Sequence, residues 1–220
     1  MPARTEMRAP TRLVRDWVMD SRHWRCFAPR VGDIVIATAP KCGTTWTQRI
    51  VALLVFQSPE PVPIHAASPW IDCRFMAPLD VMLQTIEAQS HRRFVKSHLP
   101  FDALPVYESV RYIHVARDGR DACMSFFNHS ASYTDFALAR FDAIGMEDET
   151  IGRPFPRPPQ DAREFYMNWI APDAPAAQSA FFFATEQSYW DERGRDNLLL
   201  VHFGDLKADL DGEMRRASKP

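Results

Sequence analysis

The stretch GDIVIATAPKCGTTW, residues 32–46, decides the fold. Its first half is a short apolar run with β-branched residues, which is typical of a strand covered on both faces of a parallel sheet. Its second half is a loop, after which Trp46, Ile50, Leu53 and Leu54 recur at the spacing of one helix face. We therefore predict a strand, a loop and a helix in direct succession, with the helix ended by SPEPVP at 58–63.

Further segments of the chain repeat this alternation. Apolar runs predict strands over 33–38, 93–97, 111–117 and 197–203, and helical patterns lie over 161–171 and 206–216. Another helix is expected from Asp118, a good N-cap, with Asp121 in its first turn. Strands that alternate with helices predict one α/β domain over 1–220, with a central, mainly parallel sheet flanked by helices. The strand–loop–helix setting of residues 32–56 is the one in which the loops of P-loop nucleoside triphosphatases work, so we expect a fold like theirs.

Size and composition narrow the class of protein. The chain has 220 residues, a formal net charge of −2 and 46% apolar residues. No apolar stretch approaches the roughly 20 residues of a membrane helix, and the charged N-terminus lacks the apolar segment of a secretory signal. The near-neutral charge argues against a nucleic-acid-coating protein. The four cysteines form no CxxC pair, so we expect no zinc site, no disulfides and a cytoplasmic location.

Residues 130–160 differ from the rest of the chain. They contain glycines and the run GRPFPRPPQ, which resists regular structure. We predict a long surface excursion over the sheet edge, and a plain disordered loop is the alternative.

The loop after the first strand has the features of an anion site. A strand-to-helix loop presents unpaired backbone N–H groups and the positive end of the helix. Lys41 adds a charge, Thr44 and Thr45 add hydroxyl groups, and Gly43 allows close approach of the backbone. Trp46 could offer its ring to a flat base. The alternative is an ordinary strand–helix turn.

A second stretch, RRFVKSHLPFDALP at 92–105, carries candidate catalytic groups. Lys96 and His98 share a face if the strand continues, and they lie at the carboxyl end of a strand, where α/β enzymes place their chemistry. Histidine can accept a proton near neutral pH. The alternative is a structural histidine that caps the turn before Pro100.

A third stretch, VRYIHVARDGRDACMSFFNH at 110–129, can bind a second phosphate. Its strand delivers Arg117 to the carboxyl end, and Ser125 follows about two helical turns later. In the alternative, Arg117 pairs with Asp118 or Asp121, and Ser125 only packs its helix.

Together these stretches closely resemble the cytosolic sulfotransferases, which use 3′-phosphoadenosine 5′-phosphosulfate (PAPS). ATAPKCGTTW resembles their 5′-phosphosulfate loop, TYPKSGTTW, and KSHLPFDALP resembles their KxHLP segment. VARDGRDACMSFF resembles the 3′-phosphate motif VARNPKDVxVSYY, and YWDERGRDNLLLVHFGDLKADL resembles the stretch that ends YEDLKxD. The order and spacing agree from about residue 21 to 216.

The resemblance implies a transferase that moves a sulfuryl group from PAPS to a hydroxyl or amine of a small acceptor and releases PAP. It makes His98 the general base and lets Lys41 and Lys96 stabilise charge on the bridging oxygen. Because a sulfuryl group carries less charge than a γ-phosphoryl group, we expect no metal. The resemblance assigns cofactor contacts to nine residues: Lys41, Cys42, Gly43, Thr44, Thr45, Trp46, Arg117, Ser125 and Phe203.

Within that set, the resemblance assigns the 5′-phosphosulfate to the first loop, adenine stacking to Trp46 and the 3′-phosphate to Arg117 and Ser125.

Three departures from the family pattern matter. Cys42 replaces a serine, and Phe203 replaces the tyrosine of YEDLK. The printed sequence ends before the RKGxxGxWK-like loop that completes 3′-phosphate binding, so we expect a C-terminally incomplete domain with an open pocket wall and weaker cofactor binding.

Two other functions stay open at this point. One is a non-catalytic nucleotide-binding remnant, and the other is a P-loop kinase, which the absent GK[ST] and the lack of an acidic Mg²⁺ ligand at a strand end disfavour. The sequence leaves the oligomeric state open and is compatible with a homo-oligomer. Aromatic residues in 61–76 and 130–160 suggest an apolar acceptor, although surface packing explains them as well: Trp70, Phe75, Tyr133, Phe136 and Phe155.

Overall fold

A four-stranded parallel sheet organises the computed structural model, which describes residues 7–171 and 178–218. In spatial order its strands are β3 (Phe94–Ser97), β2 (Ile34–Ala37), β5 (Arg111–Ala116) and β6 (Leu198–His202). All three neighbouring pairs are parallel. The predicted strands are confirmed to within one residue at each end. A separate two-stranded antiparallel sheet pairs β1 (Met7–Arg8) with β4 (Val106–Tyr107).

Helices connect and cover these strands. In chain order they are α1 (Thr44–Phe56), α2 (Ile64–Ala67), α3 (Leu79–Glu87), α4 (Gly119–Ser130), α5 (Asp135–Glu147), α6 (Ala162–Ile170), α7 (Gln178–Asp191), α8 (Phe203–Ala208) and α9 (Leu210–Ala217). Short 3₁₀ helices cover Ser21–Cys26 and Phe101–Ala103. The described helices include none that is both long and apolar enough to cross a membrane.

The central strand β2 buries both of its faces, as its unbroken apolar sequence predicts. Ile34 and Ile36 point to a core that α1 completes with Ile50 and Val51. Val35 belongs to the opposite core, which contains residues from α3 and α7. The sheet is therefore covered by helices on both faces, as the fold class predicts, and the carboxyl ends of β2, β3 and β5 lie at one edge.

The predicted single helix over 206–216 is wrong. The chain forms α8 and α9 instead, and the break is at Asp209, whose φ and ψ are −146° and 78°. Its carboxylate accepts a hydrogen bond from the Gly212 N–H at 2.8 Å and so caps the second helix. Leu206 is buried in the core, whereas Leu210 is exposed, so the two leucines do not form one buried helix face.

The expected lack of regular structure in residues 130–160 is wrong for the first half of the segment, as is the alternative of a disordered loop there. The segment contains α5, which Thr134 caps and which buries Phe141 and Ile144. The buried carboxylate of Asp148 then lies 2.6 Å from Arg15 Nη2 and 2.7 Å from Arg74 Nη2. These distant cations anchor the segment. The proline-rich residues 152–160 are irregular, as predicted.

A buried ion pair at the other end of the sheet holds β2 beside β3. The Arg93 guanidinium donates two hydrogen bonds to Asp33, from Nε at 3.0 Å and from Nη2 at 2.5 Å. Both side chains are almost fully buried, whereas Glu87, which accepts from Arg93 Nη1, is exposed. Removing one partner of a buried pair leaves the other charge uncompensated.

We therefore expect Asp33→Asn to lower the free energy of unfolding by about 3 kcal/mol, at the low end for a broken buried pair because Glu87 still contacts Arg93. Urea denaturation followed by circular dichroism measures the change. Glu108→Gln is the matched control, because Glu108 is an exposed partner of Arg195 and exposed pairs contribute little. Equal midpoints for the two variants would contradict the prediction.

Candidate active site

The four stretches singled out in the sequence converge at the carboxyl-terminal edge of the sheet. The loop 38–43 follows β2, His98 follows β3, Arg117 follows β5, and Phe203 follows β6. Because these strands are parallel and paired in register, the residues after them meet at one edge.

The loop after β2 turns the chain sharply into α1. Lys41 and Gly43 both have positive φ, at 69° and 103°. A side chain at Gly43 would place its Cβ only 2.8 Å from Cδ2 of Phe203, so the left-handed backbone and the neighbouring ring both require glycine. The first N–H groups of α1 have no helical partner, and Thr44 and Thr45 begin that helix. This geometry suits an anion.

The Cys42 side chain packs in a small core with Ala39, Ala122 and Cys123. Its side chain is fully buried, and its thiol contacts the Pro40 carbonyl oxygen at 3.7 Å. Burial raises the pKa of the Cys42 thiol well above its ordinary value. Its backbone N–H donates to the Ala39 carbonyl at 3.3 Å. The exchange of serine for cysteine therefore brings no thiol to the anion side of the loop.

Arg117 connects the loop after β2 with the turn after β5. Its Nη1 donates to the Lys41 carbonyl at 3.0 Å, and its guanidinium carbon lies 4.6 Å from the centre of the Phe203 ring. Its Nε is buried and has no hydrogen-bond partner. The ion pair weighed in the sequence is present but loose, since Nη2 lies 3.8 Å from the exposed carboxylate of Asp121.

The other residues assigned to the nucleotide lie around Arg117. Trp46 and Phe203 pack edge to face with ring centres 5.4 Å apart, so Phe203 contacts the loop, the tryptophan and Arg117. Ser125 is half-buried two turns into α4. Asp118 caps α4, as predicted, by accepting hydrogen bonds from the Arg120 and Asp121 N–H groups.

His98 is fixed in one tautomer by its surroundings. Its Nδ1 lies 2.8 Å from the Thr38 carbonyl oxygen, and because a carbonyl only accepts, the hydrogen is on Nδ1 and Nε2 is unprotonated. Burial, followed by the positive charge of Lys96, lowers the pKa of His98 well below its ordinary value. The residue is therefore a neutral imidazole whose bare nitrogen can accept a proton.

Lys96 and His98 meet on a tryptophan that comes from elsewhere in the chain. Lys96 Nζ lies 4.2 Å from the centre of the Trp70 ring, and the His98 ring packs edge to face against the same indole at 4.8 Å. Burial lowers the pKa of Lys96, and the carboxylate of Asp72 opposes that shift. The predicted neighbourhood of lysine and imidazole is observed, with Trp70 between them.

Sequence reasoning missed two residues of this site. Asp72 is fully buried beneath His98, and no local motif marks it. His129 lies on α4, and burial, followed by the positive charges of Lys41 and Lys96, lowers its pKa. The helical spacing from Ser125 to His129 could have revealed that they share a face.

An aromatic wall extends from His98 toward the surface. Trp70 contacts Phe75 at 5.6 Å between ring centres, and Phe75 contacts Phe141 at 5.0 Å. The wall also contains Tyr133, Phe155 and Trp17. Four of the five aromatic residues named from the sequence belong to it, whereas Phe136 is 85% exposed and does not.

Comparison with known proteins identifies the class. The family model for the sulfotransferase domain matches residues 31–219. A glycolipid sulfotransferase of Mycobacterium tuberculosis (strain ATCC 25618 / H37Rv) is 34% identical over 223 residues, which cover 94% of this chain and 68% of the relative. Human sulfotransferase 1E1 is 27% identical over 210 residues, covering 92% of this chain and 63% of that protein.

Two solved structures share the fold. Retinol dehydratase in complex with retinol and PAP has a TM-score of 0.57 at 20% identity, and the match covers 90% of this chain and 61% of that one. Mouse sulfotransferase SULT7A1 with PAP has a TM-score of 0.58 at 15% identity, covering 96% and 66%. The chain thus spans about two thirds of the length of its relatives.

This chain belongs to the sulfotransferase family. The recognition of the family, the α/β fold with a central parallel sheet and the assignment to a family of transferases are confirmed. The kinase alternative loses its support.

The site makes a prediction about His98. We expect ¹⁵N NMR of the folded protein to show the Nδ1–H tautomer, with protonation of His98 only well below pH 6.5. Because the pKa is lower in the folded state, the unfolded chain binds the proton first, and His98 makes the fold less stable as the pH falls below that value. An Nε2–H tautomer, or a midpoint at or above 6.5, would contradict this geometry.

Proposed function

We propose that this chain transfers a sulfuryl group from PAPS to a hydroxyl or amine of a small acceptor and releases PAP. The observation that carries the proposal is the bond from Arg117 to the Lys41 carbonyl, which brings two anion-binding turns together next to the bare nitrogen of His98. Relatives that are named sulfotransferases, and fold neighbours solved with PAP, support this donor.

The residues present fit a nucleotide with phosphates at both ends. Arg117 Nε is buried and unpaired, and its guanidinium is already planar and charged, which suits a 3′-phosphate. The amino-terminal turn of α1, with Lys41, Thr44 and Thr45, suits the 5′ group. Trp46 and Phe203 provide ring surface for adenine.

His98 would act as the general base. Bound PAPS supplies the sulfuryl group and a phosphate leaving group. His98 Nε2 takes the proton from the acceptor hydroxyl as that oxygen bonds to sulfur, and the Thr38 carbonyl stabilises the resulting imidazolium through Nδ1–H. Lys41 and Lys96 stabilise the negative charge that develops on the leaving oxygen.

The charge of the donor also activates this base. Burial is the largest cause that lowers the pKa of His98, and the positive charges of Lys96 and Lys41 lower it further. A polyanion held against both lysines offsets those charges and raises the pKa of His98 toward neutral pH, where a general base is most effective. Base strength is thereby coupled to donor binding.

The aromatic wall supports an apolar acceptor. It begins at the Trp70–His98 contact and continues through Phe75 to Phe141, so an acceptor lying along it would present its hydroxyl to His98. The glycolipid named for the mycobacterial relatives has such an apolar part.

We also propose a cytoplasmic location and a single sulfotransferase domain, in keeping with the sequence.

Two substitutions should separate donor binding from chemistry. Arg117→Ala should weaken PAP binding about 10- to 100-fold, because a charge-assisted bond to phosphate contributes about 1.5–3 kcal/mol. His98→Ala should lower the transfer rate by about 10²- to 10⁴-fold and leave PAP affinity nearly unchanged, because the base acts on the acceptor. Isothermal titration with PAP and transfer of labelled sulfate to a phenol panel measure the two properties.

Arg120→Ala is the matched control for Arg117. Its side chain is 78% exposed and pairs with Asp118 on the same turn, so PAP binding and transfer should both stay near wild type. Equal loss of both properties in the His98 and Arg117 variants would contradict the assigned roles. PAP binding by a wild-type chain that transfers no sulfate would favour the nucleotide-binding remnant.

A further inference from the structure

A buried carboxylate lies directly beneath the reacting end of the site. Asp72 has no solvent exposure, and three N–H groups donate to it. Trp24 Nε1 donates to Oδ1 at 3.1 Å, whereas Trp70 Nε1 and the His98 backbone N–H donate to Oδ2 at 2.7 and 3.2 Å. These groups can only donate, so both oxygens act as acceptors, and hydrogen bonds donated to a carboxylate favour its ionised form.

Such a group is costly to keep in a protein interior. Burial raises the pKa of Asp72, and its hydrogen bonds from Ser97, Trp70, Trp24 and the His98 backbone oppose that shift. A buried carboxylate is tolerated when donors and a counter-charge compensate it. The charge of Asp72 in turn raises the pKa of Lys96, one of the groups proposed to stabilise the transition state.

Trp70 connects the carboxylate to both catalytic groups. Its N–H points to Asp72, while its ring contacts Lys96 Nζ at 4.2 Å and the His98 ring at 4.8 Å. An indole that donates to an anion holds more electron density on its ring, and this strengthens its attraction for a cation. Asp72 therefore acts on Lys96 directly through its charge and indirectly through Trp70.

We propose that Asp72 is a positioning residue, which holds the Trp70 indole and the His98 backbone in place and presents its negative charge to Lys96 across that indole, at the reacting end of the site. The catalytic part of this proposal rests on the proposed function. Its electrostatic part concerns only the folded chain and can be tested without turnover.

The charges around Lys96 make the direction of the effect clear. Burial and the positive charge of Lys41 lower the pKa of Lys96, and Asp72 and Cys73 raise it. Burial raises the pKa of the Cys73 thiol to about 11, so this thiol is neutral at pH 7. His98 and His129, the titratable neighbours of Lys96, can contribute only neutral or positive charge. The negative charge that acts on Lys96 at neutral pH is therefore that of Asp72.

The test is Asp72→Asn, which keeps the shape of the side chain and removes its charge. Lys96 is one of four lysines in the sequence, so labelling lysine with ¹³C at Cε gives an NMR spectrum in which Lys→Arg variants can assign each signal. We expect the Lys96 midpoint to move to lower pH and the Lys207 midpoint to stay. We also expect kcat to fall about 10- to 100-fold with KM for PAPS little changed, and the basic limb of the pH–rate profile to move to lower pH.

Trp24→Phe is the matched control. It removes one donor to Asp72 but no contact with Lys96 or His98, so it should lower the melting temperature and move the Lys96 midpoint less than Asp72→Asn does. If Asp72→Asn does not fold, Trp70→Phe tests the proposal instead. This substitution keeps an aromatic ring beside Lys96 and removes the N–H group that donates to Asp72. That variant should move the Lys96 midpoint to lower pH as well.

An unchanged or raised Lys96 midpoint in the folded variant, or an equal shift in Trp24→Phe, would overturn the proposal. A lowered Lys96 midpoint in a protein that transfers no sulfate would support the electrostatic role of Asp72 and refute the proposed function instead. The two failures are therefore distinguishable.

Discussion

The hydrogen bond from Arg117 to the Lys41 carbonyl is the interaction on which the site depends, because it joins the turns that follow β2 and β5. Each turn alone is a modest anion site. Parallel pairing of the two strands brings them side by side, and the left-handed backbone at Lys41 and Gly43 opens the space in which Phe203 packs beneath the guanidinium. In the proposed function, one nucleotide contacts both turns.

Thr38 makes a similar connection between the end of β3, His98 and the start of α1. Its backbone N–H donates to Ser97 at the end of β3, its carbonyl accepts from His98, and its hydroxyl lies 2.5 Å from that of Thr44 at the start of α1. The residue that ends the central strand thus fixes the imidazole tautomer and the beginning of the anion-binding helix together. The register of the sheet therefore sets the position of the His98 imidazole relative to the first turn of α1.

The sequence predicts well whatever depends on local pattern. The run IVIA and its counterparts give the strands to within one residue, and the rule that parallel strand ends meet brings Lys41, His98 and Arg117 together. Contacts between residues far apart in the sequence could not be predicted from local pattern. Asp148 is held by two remote arginines, and Asp72 gains its contacts only from tryptophans and a histidine that the fold brings to it. Helix α5, in contrast, has local signals, since Thr134 caps it and the buried residues Phe141 and Ile144 lie three positions apart. The break at Asp209 is a local cap within a pattern that also reads as one helix.

A crystal structure of the chain with PAP tests the central claim most directly. The account predicts a single nucleotide, with its 5′-phosphate at Lys41 and the first turn of α1, its 3′-phosphate on Arg117 and Ser125, and His98 Nε2 facing the reacting end. A complex in which Lys41 and Arg117 face separate cavities, with PAP touching only one of them, would contradict it.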